Sequence, residues 1–451
     1  MTEIASALGA DPSRYPGTAI TDVTIDSREA GEGSLFIAIK GDRFDAHDFI
    51  PDVLAKGAAA VVCSRKPEGV PDDKAICVPD TRLALLALAK HYRSKFRIPV
   101  VGLTGSVGKT TTKEMVAAVL SQKYRTLATQ GNLNNEIGLP RMCFRLDGSY
   151  EAAVFEMGMS GFGEISRLTG IALPTVGIIT NIGVSHIEML GSREGILRAK
   201  MEILEGMAED APLIINGDND LLPKGVEGIP NPVLVCGISC ENADCRAENI
   251  EQHRDSMSFV INYRGSRYPV VLPAVGMHNV YNACIAFACG MLLEVSPEQA
   301  VRGLSEYVPT GMRQKIVRRS GITVIEDCYN ASPDSIKASL RVLHDLECSR
   351  RIAVLGDMKE LGDYSRQAHL ECGRAAADNG ADVLLAYGPE AKVYIEGADG
   401  SVPVALHFDD KRELAIKLCS LLREGDAVLF KASRAMKLEE IIEAVYDVFA
   451  E

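Results

Sequence analysis

The segment Thr104-Gly-Ser-Val-Gly-Lys-Thr-Thr111 restricts the fold of this chain more than any other. It follows the strand-like run Val100-Val-Gly-Leu-Thr104 and opens a helical pattern from Lys109 to about Gln122. Gly105 and Gly108 let the backbone turn tightly and aim its N–H groups at phosphate oxygens, and the following helix adds its positive end. Lys109 can neutralise β and γ phosphates, and the Thr110 hydroxyl can bind Mg2+. The candidate ATP-binding set is therefore Thr104, Gly105, Ser106, Val107, Gly108, Lys109, Thr110 and Thr111. The strict phosphate-loop pattern asks for glycine where Leu103 stands, so the chain satisfies TGxxGKTT instead. A glycine-rich turn with no ligand would have no use for Lys-Thr-Thr at a strand-to-helix junction.

That junction belongs in a βαβ unit, and the rest of the chain extends the theme. A length of 451 residues suggests two or three domains. Residues 1–98 mix short apolar runs (Ser34–Ile39, Ala58–Val62) with a helical stretch, Leu83 to Phe96, and Pro99 marks a boundary. Residues 99–308 add strand candidates at Ala152–Glu156, Val176–Thr180 and Pro212–Asn216, then a strand-rich stretch from 230 to 275 and a helix from Gly276 to Leu293. In residues 309–451, strands at Ile322–Glu326, Arg351–Leu355, Ala381–Ala386, Val402–His407 and Ala427–Lys431 alternate with helices. Ser332-Pro333 reads as a helix start, with serine as cap and proline in the first turn. The expected architecture is α/β in three domains: a small N-terminal one, a central parallel sheet carrying the phosphate loop, and a C-terminal Rossmann-like one. No GxGxxG occurs in the last, so nothing there argues for a dinucleotide.

Bulk properties narrow the partners. A net charge of −13 opposes nucleic acid and anionic membrane surfaces as partners. It does not oppose a small anion, because charges more than about 8 Å apart are largely screened at physiological salt. The start MTEIASALGADPSRYPG lacks the pattern of a signal peptide, and no 18-residue apolar stretch occurs. Twelve cysteines are scattered, and Cys236, Cys240 and Cys245 lack paired CxxC spacing. Reduced thiols in a cytoplasmic, monomeric protein are the expectation.

Other constellations are weaker one by one. Glu156 ends an apolar strand, where a carboxylate can hold Mg2+ beside a phosphate loop. His186 follows the next strand and could ligate a metal, although a lone histidine is more often structural. Lys200 would ordinarily be a surface lysine; as a carbamate it would supply two metal-binding oxygens. Gly131-Asn-Leu-Asn-Asn-Glu-Ile-Gly138 can offer directed hydrogen bonds, or be an ordinary turn. Arg313, Asp327, Tyr329 and Asn330 cluster near the start of the third region, and Lys431, Ser433 and Arg434 end its last strand.

Taken together, these segments resemble the Mur ligases of bacterial cell-wall synthesis, over essentially the whole chain. Asp26-Ser-Arg28, Gly33-Ser-Leu-Phe36, Gly41 and Asp45-Ala-His47 resemble the family's UDP-binding domain, and Gly131-Asn-Leu-Asn-Asn135 its substrate loop. Asp327-Cys-Tyr-Asn-Ala-Ser-Pro-Asp-Ser335 and Gly356-Asp-Met-Lys-Glu-Leu-Gly362 resemble the type that adds D-Ala-D-Ala to a UDP-N-acetylmuramoyl tripeptide. Cys328 and Ser332 replace the usual Ser and Asn, and Gly311-Met-Arg313 has one residue more than the common Gly-Arg. The Asp-Asn-Pro-Arg motif of the diaminopimelate-adding relative does not occur.

The resemblance implies ATP and Mg2+ as cofactors, and a substrate carboxylate phosphorylated and then attacked by an amine. It implies catalytic roles for Lys109, Lys200, His186 and Glu156, with Thr110, Glu156, His186 and carbamylated Lys200 on the metal. Asn279, Arg313 and Asp327 would hold the adenine, γ-phosphate and ribose of ATP. Ser27, Arg28, Asn134, Asn135 and Asn330 would hold the other substrates. A folate polyglutamate synthase shares the loop and reaction type but has no need of the N-terminal segment. A nucleotide-driven switch would leave the residues around Asp327 and Lys200 without a task.

Overall fold

The computed structural model describes residues 1–448 except residues 16 and 42, and not the side chain of residue 448. Three sheets succeed one another along the chain. The first is parallel and four-stranded, in sequence order: Asp22–Thr24, Ser34–Ile37, Ala60–Cys63 and Ala75–Cys77. Its inner strands are fully buried, as expected where both faces are covered.

The central sheet has nine strands. Val100–Thr104 lies between Ala152–Glu156 and Val176–Ile179, with Leu103 opposite Glu156 and Thr104 opposite Ile179. All three run parallel, so the phosphate loop, Glu156 and the Thr180-Asn181 turn emerge at one edge. The chain departs to opposite sides of Val100–Thr104, so this edge is a topological switch point, where ligands bind in open α/β sheets. The sheet's two faces build separate cores, Val101, Leu103, Val154 and Ile178 on one and Val100, Ala153, Phe155 and Ile179 on the other. Such side chains contribute about 1.5–3 kcal/mol each when fully buried, which anchors the strand ends beneath the loop.

The parallel expectation needs one amendment. The stretch from 230 to 275 forms Val233–Gly237, Cys245–Gln252, Met257–Tyr263 and Ser266–Leu272, and the last three pair antiparallel. Their burial alternates, because one face meets the helix Met277–Leu292 while the other faces outward.

The third sheet has six strands. Lys315–Arg319 is an antiparallel edge on Ile322–Glu326; the remaining pairs are parallel. Alternate strand residues again split into two cores, with helices such as Pro333–Asp345 on one face and Glu439–Val448 on the other. Glu326 sits opposite Phe430, so Asp327 and Lys431 leave adjacent strand ends together. Ser332 caps Pro333–Asp345 with a reciprocal capping box to Ser335. All twelve cysteines are free, and no group of three or more His, Cys, Asp or Glu able to hold a metal occurs among the described residues.

Candidate active site

A cleft of about 850 Å3 opens between the central and third sheets. Its floor is the phosphate loop. Gly108 takes a positive φ of 84° as it caps the helix Lys109–Leu120, and a Cβ on Gly105 would overlap the Thr180 hydroxyl. Both positions therefore require glycine. The loop is tied to the next strand end: Asn181 Oδ1 accepts from Ser106 N at 3.1 Å and Val107 N at 2.8 Å. Thr180 Oγ1 donates to the Val107 carbonyl at 2.6 Å, and Gly183 N donates to Ser106 Oγ at 2.9 Å. A side-chain oxygen thus occupies N–H groups of the kind that take phosphate oxygens.

Lys109 folds over the loop and donates to the Gly105 carbonyl at 2.8 Å. Burial pushes its ammonium below the ordinary range, Glu156 opposes that shift, and Arg313 adds to it. Glu156 is 2% exposed. Its Oε2 accepts from Thr110 Oγ1 at 2.9 Å and its Oε1 from Asn134 Nδ2 at 2.8 Å. Two hard oxygens therefore stand side by side at the start of the loop helix.

Lys200 is fully buried on the helix Arg193–Met201. Burial, and then the charge of Lys109, drive its ammonium well below the usual lysine range. No acid within ion-pair distance opposes this among the described residues. His186 lines the cleft in a left-handed conformation, φ 65°, at the start of Ile187–Leu190.

The opposite wall comes from the third sheet. Asp327 Oδ2 accepts from Lys431 Nζ at 2.7 Å and Ser339 Oγ at 2.6 Å. Lys431 also donates to the Asn330 carbonyl at 3.3 Å. The Arg313 guanidinium stacks 4.0 Å from the Tyr329 ring centroid, which holds this charge at the mouth. Asn279 donates to the Val275 carbonyl at 2.7 Å and to Gln314 Oε1 at 3.3 Å, and His278 lies 2.8 Å from that same oxygen. Burial lowers the pKa of His278.

The structure thus gathers Ser106 to Thr111, Asn134, Asn135, Glu156, His186, Asn279, Arg313, Asp327 and Asn330 around one cleft. Thr104 and Gly105 lie beneath it, and the Thr104 hydroxyl is buried without a partner. Asn135 spends its oxygen on its own turn, accepting from Ile137 N and Gly138 N. Ser27 and Arg28 lie outside the cleft; Arg28 is paired with Asp26, whose carboxyl that partner holds down at about 2. Sequence reasoning missed Asn181, Asn282 and Gln314. Asn181 alone carried a usable signal, its place at a strand end beside the loop.

Comparison with known proteins covers nearly the whole chain. Residues 19–93 match "Mur ligase family, catalytic domain", 103–290 "Mur ligase middle domain" and 312–434 "Mur ligase, glutamate ligase domain". The UDP-N-acetylmuramoyl-tripeptide–D-alanyl-D-alanine ligase of Bacillus subtilis is 40% identical over 98% of this chain and 96% of its own. A crystal structure of MurF from Acinetobacter baumannii superposes with a TM-score of 0.92 at 33% identity, over 99% of this chain and 98% of that one. MurF ligase from Thermotoga maritima in complex with ADP gives 0.86 at 31% identity, over 96% and 98%.

Proposed function

The chain belongs to the Mur ligase family, and from that premise we propose that its cleft joins D-alanyl-D-alanine to a UDP-N-acetylmuramoyl tripeptide. ATP is consumed and ADP formed. One observation carries this reading: a phosphate loop on one sheet faces Asp327, Lys431 and Arg313 on another, in a chain matching such ligases end to end.

An amine and a carboxylate do not condense unaided in water. The tripeptide carboxylate attacks the γ-phosphate of ATP, and ADP leaves. The amine of the dipeptide then attacks the acyl phosphate, phosphate leaves, and the amide forms. The residues act by positioning and by charge. Lys109 and the loop N–H groups hold the β and γ phosphates once phosphate oxygens displace Asn181 Oδ1. Arg313 meets the γ-phosphate from the other wall, Asp327 takes the ribose and Asn279 the adenine. Asn134, Asn135 and Asn330 face the peptide ends, and Ser27 and Arg28 receive the distant UDP end of a long substrate.

Mg2+ suits the donors present. Thr110 Oγ1 and Glu156 Oε2 are hard oxygens 2.9 Å apart, and Mg2+ takes one or two such protein ligands with phosphates and water. When bound, it neutralises charge on the transferring phosphoryl group. Lys200 fits the role of a carbamate: burial favours its neutral amine, which adds CO2 with loss of a proton. His186 would complete the metal side.

Boundaries at 98/99 and 308/309 belong to the same proposal, as does a cytoplasmic monomer. No described helix is long and apolar enough to cross a membrane, and one chain supplies every wall of the cleft. The mechanism is tested with tripeptide labelled with 18O in its terminal carboxylate. One 18O per turnover should appear in inorganic phosphate; unlabelled phosphate alongside amide product would sink the acyl-phosphate route.

A further inference from the structure

The sealed nitrogen of His186 leads beyond that reading. Its Nδ1 is buried with no in-line hydrogen-bond partner. One group stands within reach, Glu360 Oε2 at 2.6 Å, and Glu360 comes from the third sheet's unit, on the loop after Arg350–Gly356. No hydrogen bond to the ring's other nitrogen, Nε2, occurs among the described residues, the side chain is 19% exposed, and the ring lines the cleft. The imidazole therefore turns one nitrogen to a carboxylate and leaves the other open.

Both partners hold unusual backbone. His186 and Glu360 each have φ 65°, the left-handed region that costs a non-glycine residue about 1–2 kcal/mol. Their loops interlock, for a Cβ on Gly362 would press on Glu188. The Glu360 loop is itself braced from behind. Asp357 is 0% exposed, accepts from Glu390 N and Ala391 N, and pairs with Lys359 at 2.8 Å. Lys359 N donates to Ser433 Oγ at 2.9 Å, and Met358 N donates to His369 Nε2 at 3.2 Å. This bracing holds the strained Glu360 toward His186. The imidazole in turn holds the Glu360 carboxyl below its ordinary range.

A metal-ligating histidine almost always presents its second nitrogen to a carboxylate, carbonyl or water, which fixes its tautomer and orientation. We propose that Glu360 is the positioning residue for His186: it holds Nδ1–H so that Nε2 faces the metal side of the cleft, and because it comes from the third sheet's unit, that ligand is set only when the two units meet. The inference rests on His186 being a metal ligand, as proposed above.

The test uses the full chain with a non-hydrolysable ATP analogue and UDP-N-acetylmuramoyl tripeptide, and Mn2+ as the probe, its binding followed by electron paramagnetic resonance. Glu360→Ala should weaken one Mn2+ site by about 10- to 100-fold, His186→Ala should do the same, and the double variant should lose little more. Glu360→Gln, which keeps shape and an accepting oxygen, should lose less. A merely structural Glu360 would lower the melting temperature and leave Mn2+ binding unchanged in the folded protein, and that result overturns the proposal. If His186→Ala weakens Mn2+ binding and Glu360→Ala does not, only this inference fails. If neither variant matters, the placing of His186 on the metal fails with it.

Discussion

In the proposed mechanism the chemistry turns on Lys109, whose lowered pKa comes mainly from burial. Lys109→Ala should cut kcat by at least about 100-fold, the scale seen when one charge-stabilising donor is removed, with little change in the melting temperature. Steady-state phosphate release and thermal unfolding check both halves. Lys200 makes a second prediction. A surface lysine is protonated below about pH 10.4, whereas burial keeps Lys200 neutral at lower pH. Carbamate formation releases a proton, so occupancy should rise with both pH and bicarbonate. Activity assayed in CO2-free buffer should fall and return on adding bicarbonate, and Lys200→Ala should be indifferent to it. The phosphate loop was legible because every one of its roles falls on neighbouring residues. Asn181 was less so: its place at a strand end was a signal, but its bonds to Ser106 and Val107 span more than seventy positions.

Among the elements, legibility followed burial. Val100–Thr104, Ala152–Glu156 and Ile322–Glu326 coincide with their apolar runs because each is buried along nearly its whole length. Thr126–Ala128 and Lys315–Arg319 escaped notice as edge strands, three residues long in one case and largely polar in the other. The helix Pro333–Asp345 was announced by Ser332-Pro333, and its cap offers a direct check. Ser332→Ala removes the half of the capping box in which Ser335 N donates to the Ser332 hydroxyl and should cost about 1 kcal/mol. Ser332→Asn should retain most of that stability. Urea unfolding of the two variants measures the difference.

At the scale of the whole molecule, the candidate site exists only where two sheets meet. The strand-rich 230–275 stretch and the regular alternation of strands and helices in the last third could be read from pattern. The meeting of Arg313 and Asp327 with the phosphate loop could not, because it depends on how one folded unit lies against another. In the structure the central and third units already touch through His186 and Glu360. The third unit should close further when nucleotide and substrates bind. Small-angle scattering with an ATP analogue and tripeptide should give a smaller radius of gyration than the free protein, and identical profiles would contradict closure. The central claim concerns what that cleft does with ATP, and phosphate release tests it most directly. ATP is supplied with UDP-N-acetylmuramoyl tripeptide and D-Ala-D-Ala, together and singly. Sustained release should require both, one phosphate for each amide bond made; release indifferent to either would contradict the assignment.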